Sequence, residues 1–313
     1  MIRCLVAAIL FPVLAVAQEA PDNVLLITVD NLRPANMGVY GYERDTTPFL
    51  SSIARECAVF ESAWSTSAWT SPGMSSFFTG YWPPTHAQSG QYSWWDPTVP
   101  TAVTTFTDAG YRATGRSNSG PTYANLGFQY QTAPYADLEE FIENRSLPDL
   151  LDRPFFGWMH LKDVHLPYSK GSDYHLRLWG AEPPYNEAVG AVNTEGVLYV
   201  GEQSFTFTEE DEQRVRGLYD ASVAHADERI GRAFEDLERA GLLERTLVIV
   251  SADHGEEQFE HGWLGHASTA HQAKLFDENW HIPLIACFPG GEFAGRYEPM
   301  VQQTMSSSST GKM

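Results

Sequence analysis

The sequence predicts an α/β fold with a largely parallel central sheet flanked by helices. Three observations carry this. Several short apolar runs, such as NVLLITVD (Asn23 to Asp30) and PFFGWMHLK (Pro154 to Lys162), read as strands buried on both faces. Stretches of helical periodicity alternate with these runs, as in layered α/β architectures. Polar clusters fall where the runs end, at Asp30-Asn31, His160 to His165 and Asp253-His254, and ligands of open α/β sheets gather at the carboxyl ends of strands.

After the run from Asn23 to Asp30 comes a polar loop. Thr47-Pro48 then supplies a cap and first-turn signal for a helix through about Glu56. CAVFESAW reads as the second strand, Ser71 to Thr79 as a short helix, and Thr101 to Ala109 as another that stops at Gly110. YRATGRS is the strand that follows it. A long helix runs from about Glu209 to Ala240, with Val215, Leu218, Val223, Ile230, Phe234 and Leu237 on its apolar stripe, and Gly241 ends it. LERTLVIVSADHG returns to a buried strand, and HIPLIACFPG is a further one. The segment 168–207 is rich in Gly, Pro and aromatics without sustained period, and reads as an insertion, either an inert excursion or a substrate-facing lid. Residues 300–313 form a Ser-rich, low-complexity tail.

At the start, Arg3 precedes an apolar run from Leu5 to Val16 and a small-x-small end at Ala15 to Ala17. That is the pattern of a cleavable export signal over residues 1–17, too short to span a bilayer. A periplasmic or extracellular protein without a membrane span is therefore expected. Without Arg3 the net charge goes from -20 to -21, a surface that repels nucleic acid and anionic lipid. An anionic substrate would need a local cation against that field, which favours a bound metal. Of 3 cysteines, Cys4 leaves with the leader. Cys57 and Cys287 sit in apolar contexts and are expected to be two buried thiols, one pair being no disulfide framework. A hydrophobic content of 43% suits one large core, here placed in a single domain over residues 22–295.

Asp30, Asp253 and His254 fall at strand ends and can converge on one ion. Oxygen ligands favour Ca2+ or Mg2+, and the imidazole widens the choice to Mn2+ or Zn2+. Thr70 stands before Ser71-Pro72 at a helix start, where free amides and the dipole suit an anion. Its local context fits a simple N-cap as well as a metal-assisted nucleophile. His165, in HLKDVHLPY, reads either as a solvated loop residue or as a group that binds substrate oxygens or protonates a leaving group.

Taken together, these blocks resemble the sulfatase family of the alkaline phosphatase superfamily, from Asn23 to about Gly290. NVLLITVDNLRPANMGVYGY looks like the family's first strand and metal loop, and LYDASVAHADERIGRAFEDLERAGLLERTLVIVSADHGEEQFEHG like its long helix and second metal loop. The segment Thr70-Ser71-Pro72-Gly73-Met74 through Phe77-Phe78-Thr79-Gly80 is similar to the catalytic signature without a gap, with three departures. Thr70 stands where the residue that becomes formylglycine is usual, Gly73 replaces Ser, and Met74 replaces Arg. Oxidised threonine would be a ketone, so formylglycine is not expected. Related phosphotransferases use an unmodified Thr as nucleophile.

The resemblance implies a metal set of Asp30, Asn31, Asp253 and His254, Asn31 replacing a second Asp. It also implies Thr70, His165 and Lys274 as catalytic residues, Lys274 standing shortly before LFDENWHIPL. The activity implied is hydrolysis of sulfate or phosphate esters, small or glycan-borne. The alternatives are a phosphoryl-type transferase through Thr70 and a pseudoenzyme that binds an anionic glycan. Tyr168, Trp179 and Tyr185 are candidates to stack on a sugar ring. Because family members usually continue into a smaller C-terminal subdomain, that subdomain is expected to be missing here.

Overall fold

A computed structural model describes residues 21–88, 98–117, 126–128, 130–131, 153–168, 207–266 and 275–304. The leader, most of the insertion, Lys274, Trp179, Tyr185 and residues 305–313 lie outside the described residues.

Three strands form the centre. β1 (Asn23–Val29) lies parallel between β5 (Phe155–Leu161) and β6 (Thr246–Ala252). Side chains alternate across a strand, and here the alternation divides the core in two. Leu25, Ile27 and Val29, with Phe155, Met159, Leu161, Val248, Val250 and Ala252, face one apolar cluster. It contains Leu218, Val223, Ile230 and Leu237 of the long helix α5 (Glu209–Arg239), the stripe the sequence predicts. Leu26, Phe156 and Trp158 point to the opposite face, against Met74 and Phe78 of α2 (Thr70–Thr79) and Val103 of α4 (Ala102–Asp108). Helices thus cover both faces of the sheet.

The full order among the described residues is β10-β2-β9-β6-β1-β5-β3-β4, with β11 also on β2. Here β2 is Ala58–Trp64, β3 Arg112–Ser117, β4 Tyr130–Gln131, β9 His281–Cys287, β10 Gly295–Tyr297 and β11 Val301–Gln302. The short strands β7 (Glu257–Gln258) and β8 (Leu264–Gly265) pair with each other apart from this sheet, and α3 (Pro83–His86) is a single turn after α2. Most pairs are parallel, but β9 runs antiparallel to both β6 and β2.

That strand corrects the cysteine expectation. Register places Ala58 opposite Ala286, so the next pair outward is Cys57 and Cys287, and they are joined as a disulfide. The two thiols stand 230 residues apart in sequence, and only the antiparallel register brings them together. A second difference concerns α1 (Pro48–Ile53). Thr47 makes no side-chain cap there, and the amides of Phe49 and Leu50 donate instead to Asp227 of α5, at 2.8 and 3.0 Å. Capping by a residue 178 positions away serves the same orphan amides. Beyond β10, β11 pairs parallel with β2, Val301 with Ala63 and Gln302 with Trp64.

Candidate active site and metal centre

The register of the three central strands sets the site. Val29 is level with both Leu161 and Ala252, so Asp30, Lys162 and Asp253 leave the sheet at one edge. Asp30, Asn31, Asp253 and His254 are all fully buried. Among the described residues, Asp30, Asp253 and His254 form a group whose ligand atoms lie within 4.8 Å of one another.

Thr70 joins them from the other side. It is the first residue of α2, and Trp69, not Thr70, occupies the N-cap position. The Thr70 hydroxyl does not reach back to helix amides as an N-cap would. Its Oγ1 lies 3.3 Å from Asp30 Oδ1 and 3.2 Å from His254 Nε2. His254 Nδ1 donates to the Gly255 carbonyl at 2.7 Å, so Nε2 carries the lone pair and faces Thr70. Burial holds the His254 pKa down to about 3, with His266 acting in the same direction, so the ring is neutral. An imidazole nitrogen oriented through its other N–H is the usual form of a metal ligand.

Two carboxylates share this buried space. Burial and the neighbouring Asp30 push Asp253 well above the ordinary carboxylate range. Asp30 is buried too, but His165, His160 and His254 outweigh that and hold it well below the range. Asp30 Oδ2, Asp253 Oδ2 and Asn31 Oδ1 are buried and make no hydrogen bond. Buried acceptors without donors are costly unless something positive meets them. Three orphaned oxygens and a neutral imidazole nitrogen suit a divalent cation.

Asn31 has a positive φ of 66°, a conformation asparagine tolerates better than most residues. Its backbone N–H donates to Asp253 Oδ1 at 3.1 Å, tying the two metal loops together. Its side-chain Nδ2 donates to Glu256 and lies 3.0 Å from His266 Nδ1. Glu256 also lies 3.1 Å from His266 Nδ1. These contacts fix which end of the Asn31 amide is the nitrogen and leave Oδ1 unengaged. Sequence reasoning missed Glu256 and His266, both fully buried. The available signal was the density of titratable residues from Asp253 to His266, which has no helical or strand period.

His165 lies in the loop after β5, its ring centre 5.2 Å from that of His266, which in turn is 4.6 Å from His254. Its Nδ1 is engaged by the Leu166 carbonyl, and burial lowers its pKa. Asp163 anchors this loop to α5, bonding His225 Nδ1 and Arg229 at 2.6 Å each. A relay behind Asp30 completes the frame: Trp158 Nε1 donates to Thr28 Oγ1, which pairs with His160 Nδ1, each at 2.9 Å. His160 Nε2 then lies 3.5 Å from Asp30 Oδ2. Tyr168 is fully buried and its hydroxyl accepts from Gln258 Nε2 at 2.7 Å, so its ring is packed down rather than offered to a sugar.

The two other departures in the segment after Thr70 have different explanations. Met74 is fully buried in the apolar cluster with Leu26, Phe78 and Trp158. At Gly73, a Cβ would stand 2.7 Å from the Asp253 carbonyl oxygen, so α2 and the second metal loop meet backbone to backbone.

Residues 22–309 match a family model described as Sulfatase. Among curated relatives, human iduronate 2-sulfatase is 24% identical over 86% of this chain and 60% of its own length. A choline-sulfatase of Rhizobium meliloti is 32% identical over a shorter stretch, 28% of this chain and 16% of that protein. The chain thus spans about 60% of the length of the iduronate 2-sulfatases it matches. Among solved structures, a phosphonate monoester hydrolase of Agrobacterium radiobacter superposes with a TM-score of 0.68 at 20% identity, covering 90% of this chain and 71% of that one. The C-terminal periplasmic domain of EcEptC from Escherichia coli gives 0.60 at 17%, over 87% and 74%.

Proposed function

The chain belongs to the Sulfatase family, and from that premise we propose that it is an exported, metal-dependent hydrolase of sulfate or phosphate esters with Thr70 as its nucleophile. The observation that carries this is the direction of the Thr70 hydroxyl, aimed at Asp30 and His254 instead of at its own helix. Asp30, Asn31, Asp253 and His254 would hold one divalent ion, which would supply Lewis-acid charge stabilisation and ease ionisation of the hydroxyl. Thr70 has one proton for two neighbours, Asp30 Oδ1 and His254 Nε2, so its oxygen keeps lone pairs for bonding.

In the reaction proposed, Thr70 Oγ1 forms a bond to sulfur or phosphorus as the bond to the leaving alcohol breaks. The Thr70 proton leaves as that bond forms and is passed to the departing alcohol by way of His165, whose neutral ring, held through Nδ1 on the Leu166 carbonyl, would take it on Nε2 and give it up again. Water then cleaves the Thr70 ester, releasing sulfate or phosphate and restoring the hydroxyl. In the first turn of α2 Pro72 has no N–H and the Gly73 amide is bonded to the Trp69 carbonyl, so the Thr70 and Ser71 amides are those the helix start would offer the anion. An unmodified threonine forms an ester that an alcohol can intercept, so a group transfer to an acceptor is the second reading. Adding acceptor alcohols and following the modified product separates the two.

Export is supported by the leader pattern and by the Cys57–Cys287 disulfide, since such bonds persist in oxidising compartments. The names of the relatives favour sulfate esters of small molecules or glycans as substrates. The test is turnover of aryl sulfate, aryl phosphate and phosphodiester substrates with defined metals, beside Thr70→Ala. Metal-dependent turnover that Thr70→Ala abolishes is expected. Absence of any metal-dependent turnover, or full activity in Thr70→Ala, would overturn the reading.

A further inference from the structure

A cavity of about 430 Å³ opens beside the metal loops, and Asp30, Thr70, His165, Asp253 and His254 do not line it. Three of its lining residues are arginines, Arg33, Arg44 and Arg216, in a chain whose net charge is -20. They come from three separate segments: the loop after β1, the turn before α1, and the second turn of α5. The acidic residue on the wall, Glu260, has both oxygens engaged, one by Arg33 at 2.5 Å and one by the Gln258 amide at 2.6 Å.

The arginines differ in how they are engaged. Arg33 is a structural member: it bonds Asn36, the Glu256 carbonyl and Glu260, and its side chain is 10% exposed. Arg216 donates through Nε to the Gln258 carbonyl at 3.0 Å. Its nearest carboxylate, Glu212, is 3.9 Å from NH2, beyond hydrogen-bonding reach, and its side chain is 41% exposed. Arg44 bonds the Tyr42 hydroxyl at 2.9 Å through NH1, which also lies 4.0 Å from both Glu43 Oε1 and Asp220 Oδ2, and its side chain is 34% exposed. A guanidinium carries five donors in a planar fork that matches the oxygens of carboxylate, sulfate or phosphate. The cavity volume falls within the range of small-molecule sites.

We propose that this cavity is a second oxyanion site, in which Arg216 and Arg44 bind a sulfate, phosphate or carboxylate group other than the one being cleaved. Through Arg33, which bonds the Glu256 carbonyl, its wall is continuous with the loop that carries Asp253 and His254. The group has two possible sources, a second anionic substituent on the substrate or a free inorganic anion. The first source rests on the ester-hydrolase reading above; the site itself does not.

Titration calorimetry of the full chain with inorganic sulfate tests the site. Binding should persist in Asp253→Asn, which disables the proposed catalytic centre, and weaken about tenfold for each of Arg44→Gln and Arg216→Gln. Gln213→Glu, at an exposed position of α5 that lines the cavity, should weaken it as well. Wild-type binding in the double arginine variant and in Gln213→Glu overturns the proposal, as does loss of all sulfate binding in Asp253→Asn. A kinetic arm identifies the source. If KM rises in the arginine variants for a multiply sulfated oligosaccharide and not for a singly charged aryl sulfate, the anion belongs to the substrate. If both KM values hold while sulfate affinity falls, it is a free anion.

Discussion

Gly73→Ala puts the contact between α2 and the second metal loop to a direct test. The new Cβ would meet the Asp253 carbonyl oxygen at 2.7 Å, about 0.7 Å inside ordinary van der Waals contact, and Ser65 Oγ at 3.3 Å. That carbonyl cannot give way freely, because it accepts from Ser65 Oγ at 2.6 Å and from Gln303 Nε2 at 3.2 Å. Overpacking of this kind costs about 1–3 kcal/mol, while alanine in a helix recovers about 0.5–1 kcal/mol over glycine. The net expectation is a loss of about 1–2 kcal/mol of stability. Function should suffer more than stability. Relief of the clash moves Asp253 or Thr70 by a good fraction of an ångström, and a displacement near 1 Å can cost about a hundredfold in rate. Urea unfolding and metal titration, run side by side on both proteins, measure the two effects. A Gly73→Ala protein more stable than wild type, with unchanged metal affinity, would show that the close approach does not exist. Gly73→Ser, which restores the residue usual in similar signatures, should behave as Gly73→Ala does.

Glu256→Gln should weaken divalent-ion affinity about 10- to 100-fold, because an amide facing the Asn31 amide loses a matched acceptor; equal affinity by calorimetry would remove Glu256 from the metal frame. Asp163 is held below the ordinary carboxylate range, burial opposing and His225 and Arg229 prevailing. Its contribution is present above its unfolded pKa of about 3.9 and is lost as pH falls through the lower folded value. Asp163→Asn should therefore cost about 2 kcal/mol at pH 7, and that difference should shrink below about pH 4; a difference that stays constant from pH 7 to pH 3 refutes the assignment. The Cys57–Cys287 bond closes a loop with a sequence separation of 230, and removing it by Cys57→Ala with Cys287→Ala should cost about 2–4 kcal/mol. Both thiols reacting in unreduced, unfolded wild type would contradict it.

What the sequence made legible follows the range of the interactions concerned. β1, β5 and β6 are buried on both faces, so each is a continuous apolar run that local reading finds. The stripe of α5 is equally visible because its large apolar residues, Val215, Leu218, Val223, Ile230, Phe234 and Leu237, recur at helical spacing and are buried. Strand direction is not local: HIPLIAC reads the same whether parallel or antiparallel, and without the direction of β9 the Cys57–Cys287 pairing could not be seen. The cap of α1 escaped for the same reason, since Asp227 arrives from another helix.

The site shows the same division. Asp30, Asp253 and His254 stand at strand ends and were found from position and residue type. Thr70 in its local context fits an N-cap equally well, and only the fold turns its hydroxyl towards Asp30. Glu256 and His266 contact Asn31, a partner more than 200 positions away, and the titratable residues crowded from Asp253 to His266 do not single them out.

The central claim is that Thr70 becomes covalently modified during turnover. Acid quenching within the first turnover, followed by mass spectrometry of the peptide that contains Thr70, measures this. One sulfuryl or phosphoryl group on Thr70 is expected in wild type, formed only with divalent ion present and absent from Thr70→Ala. Turnover that proceeds with Thr70 unmodified at every quench time, or a modified group on another residue, would contradict it.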